Sequence, residues 1–318
     1  VKFYFSILAA VAFAGAADAS VVYQFTTAGQ TGRLGPSQAQ VDSAYDAGNS
    51  LFGQVTSMGG IQNWTVETGG SYRIEAYGAG GGNSGSSNTR PGMGAFVAGT
   101  FDLVAGEVLQ ILVGQRGLDS GNASGGAGGG GGGSFVVSAG DIPLLVAAGG
   151  NGENWNYWNT NGTDGRTSNS GNGGGSANRG GGGGGFAGNG SAGYSGANGG
   201  QSFLNGGVGG AFTGSTQWGT DGGFGGGGAS VHEGGGGGGF SGGSVSPANQ
   251  YNSNYPGLGA GSYLSGTDID FATAQRAGDG SVTVTLLQAV EVPAPGALGL
   301  LGLAVAGLAS ARRRAIQS

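Results

Sequence analysis

The sequence predicts an all-β protein: an antiparallel β-sandwich of jelly-roll type carrying an inserted glycine-rich bundle of polyglycine II helices. Three observations lead there. Short β-branched or aromatic runs recur along the first half, separated by Gly, Asn and Ser turns. Three runs of six glycines, residues 128–133, 180–185 and 234–239, each reach a phenylalanine (Phe135, Phe186, Phe240) directly or after one residue. One more strand-like run, residues 281–287, follows the glycine block.

Taken in chain order, Lys2 precedes an apolar run over residues 3–17, and Ala17, Asp18 and Ala19 form an A-x-A pattern before Ser20. This reads as a secretory signal peptide over residues 1–19, cleaved ahead of Ser20. A β-sandwich is expected over residues 20–150, with strands at 21–26, 61–66, 72–77, 95–101, 108–113, 134–138 and 143–148. Tyr72, Ile74 and Ala76 alternate with Arg73, Glu75 and Tyr77 as a half-buried strand requires, whereas 109–113 and 144–146 read as interior strands. Residues 36–45 form the one short helix expected, with Pro36 near its start and Ser37 as its cap.

Residues 151–270, with poly-glycine beginning near 125, form the glycine-rich region. With 82 glycines in 318 residues, side chains cannot supply its cohesion. A flexible linker has no need of Phe186, Phe203, Phe212, Trp218 and Phe224. Collagen requires a strict three-residue repeat with abundant proline, and only 7 prolines are present. The remaining solution is a set of extended three-residue-per-turn chains exchanging N–H···O=C bonds laterally, close together because they lack Cβ atoms. The strand at 281–287, expected as the last sandwich element within 271–290, must return to the sandwich to avoid an exposed edge.

Residues 291–318 carry a second export signal. Val292, Pro293, Ala294, Pro295 and Gly296 lead into an apolar stretch that ends at Arg312, Arg313 and Arg314. An apolar segment closed by cations reads as a single transmembrane helix with its arginines on the cytoplasmic side. The order of motif, helix and basic cluster resembles the PEP-CTERM sorting tail of Gram-negative bacteria, with Ala294 in place of the family's Glu. The resemblance implies an exosortase-type sorting enzyme as partner, transient anchoring in the inner membrane, and delivery to the cell envelope, cell surface or extracellular matrix. Between residues 20 and 292 seven arginines and no lysine face sixteen carboxylates, which argues against nucleic acid as a partner. With no cysteine, such an exported protein is held without disulfides.

Blocks in a fixed order carry a further resemblance: Gly35-Pro36-Ser37-Gln38-Ala39-Gln40, Ile61-Gln62-Asn63-Trp64, Leu112-Val113-Gly114-Gln115 and Gly278-Asp279-Gly280. With these, residues 25–284 resemble the glycine-rich extracellular region of the anaplastic lymphoma kinase and leukocyte tyrosine kinase receptors. The resemblance implies a tumour-necrosis-factor-like β-sandwich joined to a glycine-helix bundle that binds protein ligands. It does not extend to the kinase, which needs a nucleotide-pairing lysine and an H-R-D loop, since the only lysine is Lys2. The receptors' cysteines are absent as well.

No residue group announces catalysis, a cofactor or a metal. His232, beside Glu233, is the only histidine and reads as a surface turn position. Asp268, Asp270 and Asp279 are carboxylates near the last strand, expected as solvated loop charges rather than a calcium site. Trp155, Tyr157 and Trp158, set among asparagines, form the candidate ligand-contact loop. They either stack on sugars or a protein partner, or pack against the glycine helices. The expected function is a non-enzymatic cell-surface or matrix protein acting in adhesion or assembly. A specific module for a peptide or polysaccharide is the alternative, and ice binding ranks lower for want of a regular threonine ladder.

Overall fold

The computed structural model describes residues 20–85, 89–121, 125–155, 161–167, 172–176, 179–245 and 258–290. The signal-peptide residues Ala17 and Ala19, the sorting tail with its expected transmembrane segment, and Tyr157 and Trp158 lie outside them. Among the described residues no helix is long and apolar enough to cross a membrane.

The described chain is mostly β. Its strands are β1 (Val22–Phe25), β2 (Val55–Met58), β3 (Ile61–Thr65), β4 (Gly70–Tyr77), β5 (Gly94–Leu103), β6 (Val108–Leu112), β7 (Ser134–Ser138), β8 (Ile142–Ala147), β9 (Arg166–Thr167), β10 (Gly261–Leu264), β11 (Thr267–Arg276) and β12 (Ser281–Ala289). They form two sheets, ordered β1-β12-β4-β5-β11 and β2-β3-β6-β7-β8-β10-β9. All pairings are antiparallel except the short β9–β10 contact. Strand β12 does return to the sandwich, pairing β1 on one side and β4 on the other. Strands β6 and β8 are interior, as their largely apolar runs require, Leu109, Ile111 and Leu112 in the first and Leu144, Leu145 and Val146 in the second.

The sheets bury one core between them. Phe25, Tyr72, Ile74, Val97, Val282 and Val284 face Trp64, Leu109, Ile111, Val136 and Leu145. The one α-helix among the described residues, α1 (Gln38–Ala44), has Ser37 at its N-cap, whose backbone N–H donates to Gln40 Oε1 at 2.9 Å. A buried polar link fastens the helix. The Tyr45 hydroxyl donates to Gln62 Oε1 at 2.7 Å and accepts the Thr26 N–H at 2.9 Å, while Gln62 Nε2 donates to the Thr26 carbonyl at 2.8 Å.

Sequence reading missed β2, β9, β10 and β11. Strand β11 is an edge strand with exposed Asp268 and Asp270, and Asp268 and Ala274 adopt positive φ values of 48° and 53° where its register slips. Charge and bulges of this kind keep an edge from pairing with other chains, and they also erase the apolar alternation that would announce a strand.

Beyond the sheet ends the strands pass into backbone-paired glycine segments. Gly78 N–H donates to Ala95 O, Ala95 N–H to Ala148 O, and the pairing then spreads through the glycines. The first six-glycine run shows the rule. Gly128 and Gly131 donate to Glu153 and Gly150, Gly129 and Gly132 to Leu118 and Gln115, and Gly130 and Gly133 to Gly228 and Gly225, all at 2.9–3.0 Å. Donors three residues apart thus serve one neighbour, and three successive donors serve three neighbours. The carbonyls behave likewise: those of Gly128 and Gly131 accept from Gly235 and Gly238, those of Gly129 and Gly132 from Gly82 and Ala79, and that of Gly130 from Gly223. One glycine run is therefore bonded to six surrounding segments.

The second run repeats the period. Gly181 and Gly184 donate to Ala229 and Gly226, Gly182 and Gly185 to Ser191 and Gly188, and Gly183 and Phe186 to Gly243 and Phe240. The third run joins the other two, with Gly235 and Gly238 donating to Gly128 and Gly131, and Gly236 and Gly239 to Gly181 and Gly184. Its remaining donors, Gly234 and Gly237, find the Oδ1 atoms of Asn154 and Asn151, each at 2.8 Å. The bundle is not confined to residues 151–270: segments near Gly80, Gln115 and Gly150, which leave the sandwich strands, belong to it. Turns inside it use glycine where φ must be positive, as at Gly225 (100°) and Gly226 (84°).

The phenylalanines after the glycine runs close the bundle against the sheet. Phe186 stacks on Phe203 at 5.5 Å and on Phe240 at 5.9 Å, Phe240 on Tyr263 at 4.5 Å, and Phe203 lies 5.2 Å from Phe135. With Phe224 they cover Leu112, Val137 and Val146 on the sheet face turned away from the main core. Strand β7 is accordingly buried along its whole length.

Two glycines test this packing. A Cβ on Gly236 would overlap the Gly243 carbonyl and lie 2.6 Å from the Gly183 nitrogen, whereas a Cβ on Gly175 meets nothing closer than 4.0 Å. Gly236→Ala should cost about 3 kcal/mol, and Gly175→Ala should be neutral or stabilising by up to about 1 kcal/mol. Chemical denaturation of the two variants reads the difference; equal behaviour would mean that the block is not packed.

Candidate binding surface

The glycine bundle brings Trp155, Trp218 and His232 together from separated parts of the chain. The His232 ring lies 5.0 Å from Trp218 and 5.5 Å from Trp155, each tilted by 42°. The Trp155 N–H donates to the His232 carbonyl at 3.1 Å, and His232 Nδ1 is hydrogen-bonded to the Gly125 carbonyl. One bond to its backbone and one to its ring fix the histidine between the two indoles. His232 is thus half-buried rather than a free surface turn, which corrects the sequence expectation. Trp218 also packs with Phe212 against buried Ala197, Ala229 and Val231.

Burial pushes the His232 imidazole below its ordinary value; the Gly125 carbonyl resists this and the Arg179 charge reinforces it. Its neighbour Glu233 is buried, and that burial pushes its carboxyl up against the opposing Arg179 N–H, which donates to Glu233 Oε2 at 3.0 Å. Glu153, also buried, accepts the Ser84 N–H at 2.8 Å and the Thr89 hydroxyl.

Asn151, Asn154, Asn161, Gly162, Thr163 and Val245 line a shallow cleft with enclosed room for about a single water molecule. Its amides serve the fold: Asn151 Oδ1 accepts the Gly237 N–H and Asn154 Oδ1 the Gly234 N–H, each at 2.8 Å, and Asn161 Oδ1 accepts the Arg90 N–H at 3.0 Å. The rim is held by the Arg90–Asp164 ion pair, with guanidinium-to-carboxylate distances of 2.8 and 2.9 Å, and by the Met93 N–H to Asp164 Oδ1 bond at 2.7 Å. Burial raises the Asp164 carboxyl, but these donors more than offset it and hold it below its ordinary value.

Of the other residues singled out from sequence, Ser20 is exposed at the start of the described chain. Asp268 and Asp270 stand on the open edge of β11, and Asp279 accepts the Arg116 N–H at 2.7 Å. Among the described residues no group of three or more His, Cys, Asp or Glu side chains is placed to hold a metal ion. Trp218 was not singled out as a site residue, and nothing local in the sequence ties it to Trp155, 63 positions earlier.

No family model matches the chain. Over 99 residues it is 42% identical to the leukocyte tyrosine kinase receptor of Mus musculus. The matched stretch is 30% of this chain and 11% of the receptor, so the chain spans about a tenth of that relative's length. This supports a relation to the receptor's extracellular region and leaves the receptor's activity with the receptor.

The buried histidine gives a pH signature. Its native value lies below the 6.5 of a free imidazole, so its contribution to stability is complete above 6.5 and is lost as pH falls through the lower native value. Glu233 runs the other way, losing stability as pH rises above 4.5 through its raised native value. Unfolding midpoints measured from about pH 5 to 8 should therefore converge between wild type and His232→Gln as pH falls. Parallel curves would place His232 in solvent.

Proposed function

We propose that this chain is an exported, non-enzymatic extracellular module in which a sandwich and a glycine bundle form one rigid display surface for adhesion or matrix assembly. The observation that carries the reading is the 42% identity to the leukocyte tyrosine kinase receptor. The three-residue period of the lateral hydrogen bonds supports polyglycine II helices, and the two packed sheets fit a tumour-necrosis-factor-like jelly roll. Export through the signal peptide and retention or release through the Pro293-Ala294-Pro295 tail, read by an exosortase-type enzyme of a Gram-negative envelope, complete the proposal.

A second reading, capture of one specific ligand, is favoured by the two indoles Trp155 and Trp218 gathered about His232. The two separate in a pull-down of the full chain against envelope extracts. Broad association with polysaccharide is expected for the matrix role, and one stoichiometric ligand would replace it with the specific binder. Changing Trp155, Tyr157 and Trp158 together to Ser should reduce polysaccharide retention and, through the lost Trp155–His232 contact, lower the melting temperature somewhat; retained binding with a lowered melting temperature would place the aromatics in the fold alone.

The tail has its own test. Mass spectrometry of surface-released protein should find a chain ending near Pro295, and replacing Pro293 and Pro295 with Ala should trap the full-length form. A released chain still carrying Leu300 and Arg312 would mean that no processing occurs.

A further inference from the structure

The strand ends of the sandwich differ. One end passes into the glycine bundle through residues 78, 114, 133 and 148, each paired to a neighbouring glycine or strand segment. At the other end, Gly70 pairs with Leu103 and Ala289, Thr65 pairs with Val108, and the Val290 N–H donates to the Gly69 carbonyl. The described chain enters this second end at Ser20 and leaves it at Val290. The same end carries Val104, Val290, Leu287, Val22, Val21 and Val108, exposed by 70, 66, 55, 45, 41 and 41%. Such a collection of aliphatic tips has no packing role in the sandwich, whose core is already closed.

We infer that, while the tail still anchors the chain, this strand-end face rests on a lipid bilayer surface, so that the glycine bundle and the Trp155 surface are held outward from the membrane. The inference rests on the reading of residues 296–311 as membrane-held and adds the orientation. Only six residue steps separate Val290 from Gly296, a reach of about 20 Å at most even when fully extended. A membrane that holds the apolar stretch therefore lies close to the end that carries the exposed aliphatics. Strand β4 alone, eight residues long, spans about 27 Å from that end to the first bundle glycines. Glu67, Asp102, Glu107 and Asp141 flank the aliphatic tips, so the surface that suits this face is electroneutral rather than anionic.

The absence of cysteine makes the test direct, because any introduced cysteine is a unique label site. Full chains bearing Val104→Cys, Leu287→Cys or Val290→Cys, each with an environment-sensitive nitrobenzoxadiazole label, are mixed with phosphatidylcholine vesicles and floated. Tyr194→Cys is the control, since Tyr194 is 74% exposed and lies on a bundle segment. The expected result is co-flotation, with a blue shift and a several-fold rise in emission at 104, 287 and 290 and none at 194. Combining Val104→Asp and Val290→Asp should abolish the shift at 287 while flotation persists through the tail. Chains that float with no shift at the three sites overturn the orientation and leave the anchor standing, as does a shift at 194 alone. A shift before vesicles are added would mean that the chain's own apolar tail covers the face, which overturns the lipid contact. Chains that do not float remove both the anchor and the inference.

Discussion

Close backbone approach without side chains is the constraint on which the rest of this structure depends. A segment surrounded by six others, each near enough to exchange an N–H···O=C bond, leaves no volume for a Cβ in any direction. At Gly130, Gly183 and Gly238 an added methyl group would overlap a neighbouring carbonyl. Ordering a residue costs about 1–2 kcal/mol, and one hydrogen bond returns roughly 1 kcal/mol net, so the bundle stands only where pairing is nearly complete. Asn151 and Asn154 show how strict that requirement is. Where the third glycine run has no backbone acceptor on one side, their side-chain carbonyls supply it.

The aromatics provide what the glycines lack. Backbone pairing gives the bundle order but little apolar burial, and the ladder from Phe135 through Phe203, Phe186 and Phe240 to Tyr263 joins it to the second sheet. Burial of large rings against that sheet is the main hydrophobic contribution available to the region. Sandwich and bundle consequently share a boundary layer, and segments leaving the strands near Gly78, Gly114 and Ala148 run straight into the glycine pairing.

The extent to which the sequence announces this architecture follows the range of the interactions involved. Strands with clear alternation or largely apolar runs, such as β4, β6 and β8, are local patterns and were legible. The edge strand β11 was not, because Asp268, Asp270 and its two bulges remove the alternation. The lateral bonding of the glycine runs was legible as a principle, from the absence of any other source of cohesion. Its partners were not, since no local feature says that Gly130 donates to Gly228. The same limit applies to the candidate surface. Trp155 stood out by composition, whereas its neighbours Trp218 and His232 arrive only through the bundle's folding, and a solitary histidine carries no sign of the two indoles beside it.

A surface built this way is rigid because its support is backbone rather than side chain. Any function of the Trp155 region is therefore tied to the integrity of the glycine pairing that holds it. Amide hydrogen exchange on the full chain, resolved at individual glycines, tests that pairing most directly. The account predicts that the amides of Gly130, Gly131, Gly183 and Gly236 exchange as slowly as those of Leu109 and Ile111 in β6. Exchange of those glycines at free-chain rates while β6 stays protected would contradict it.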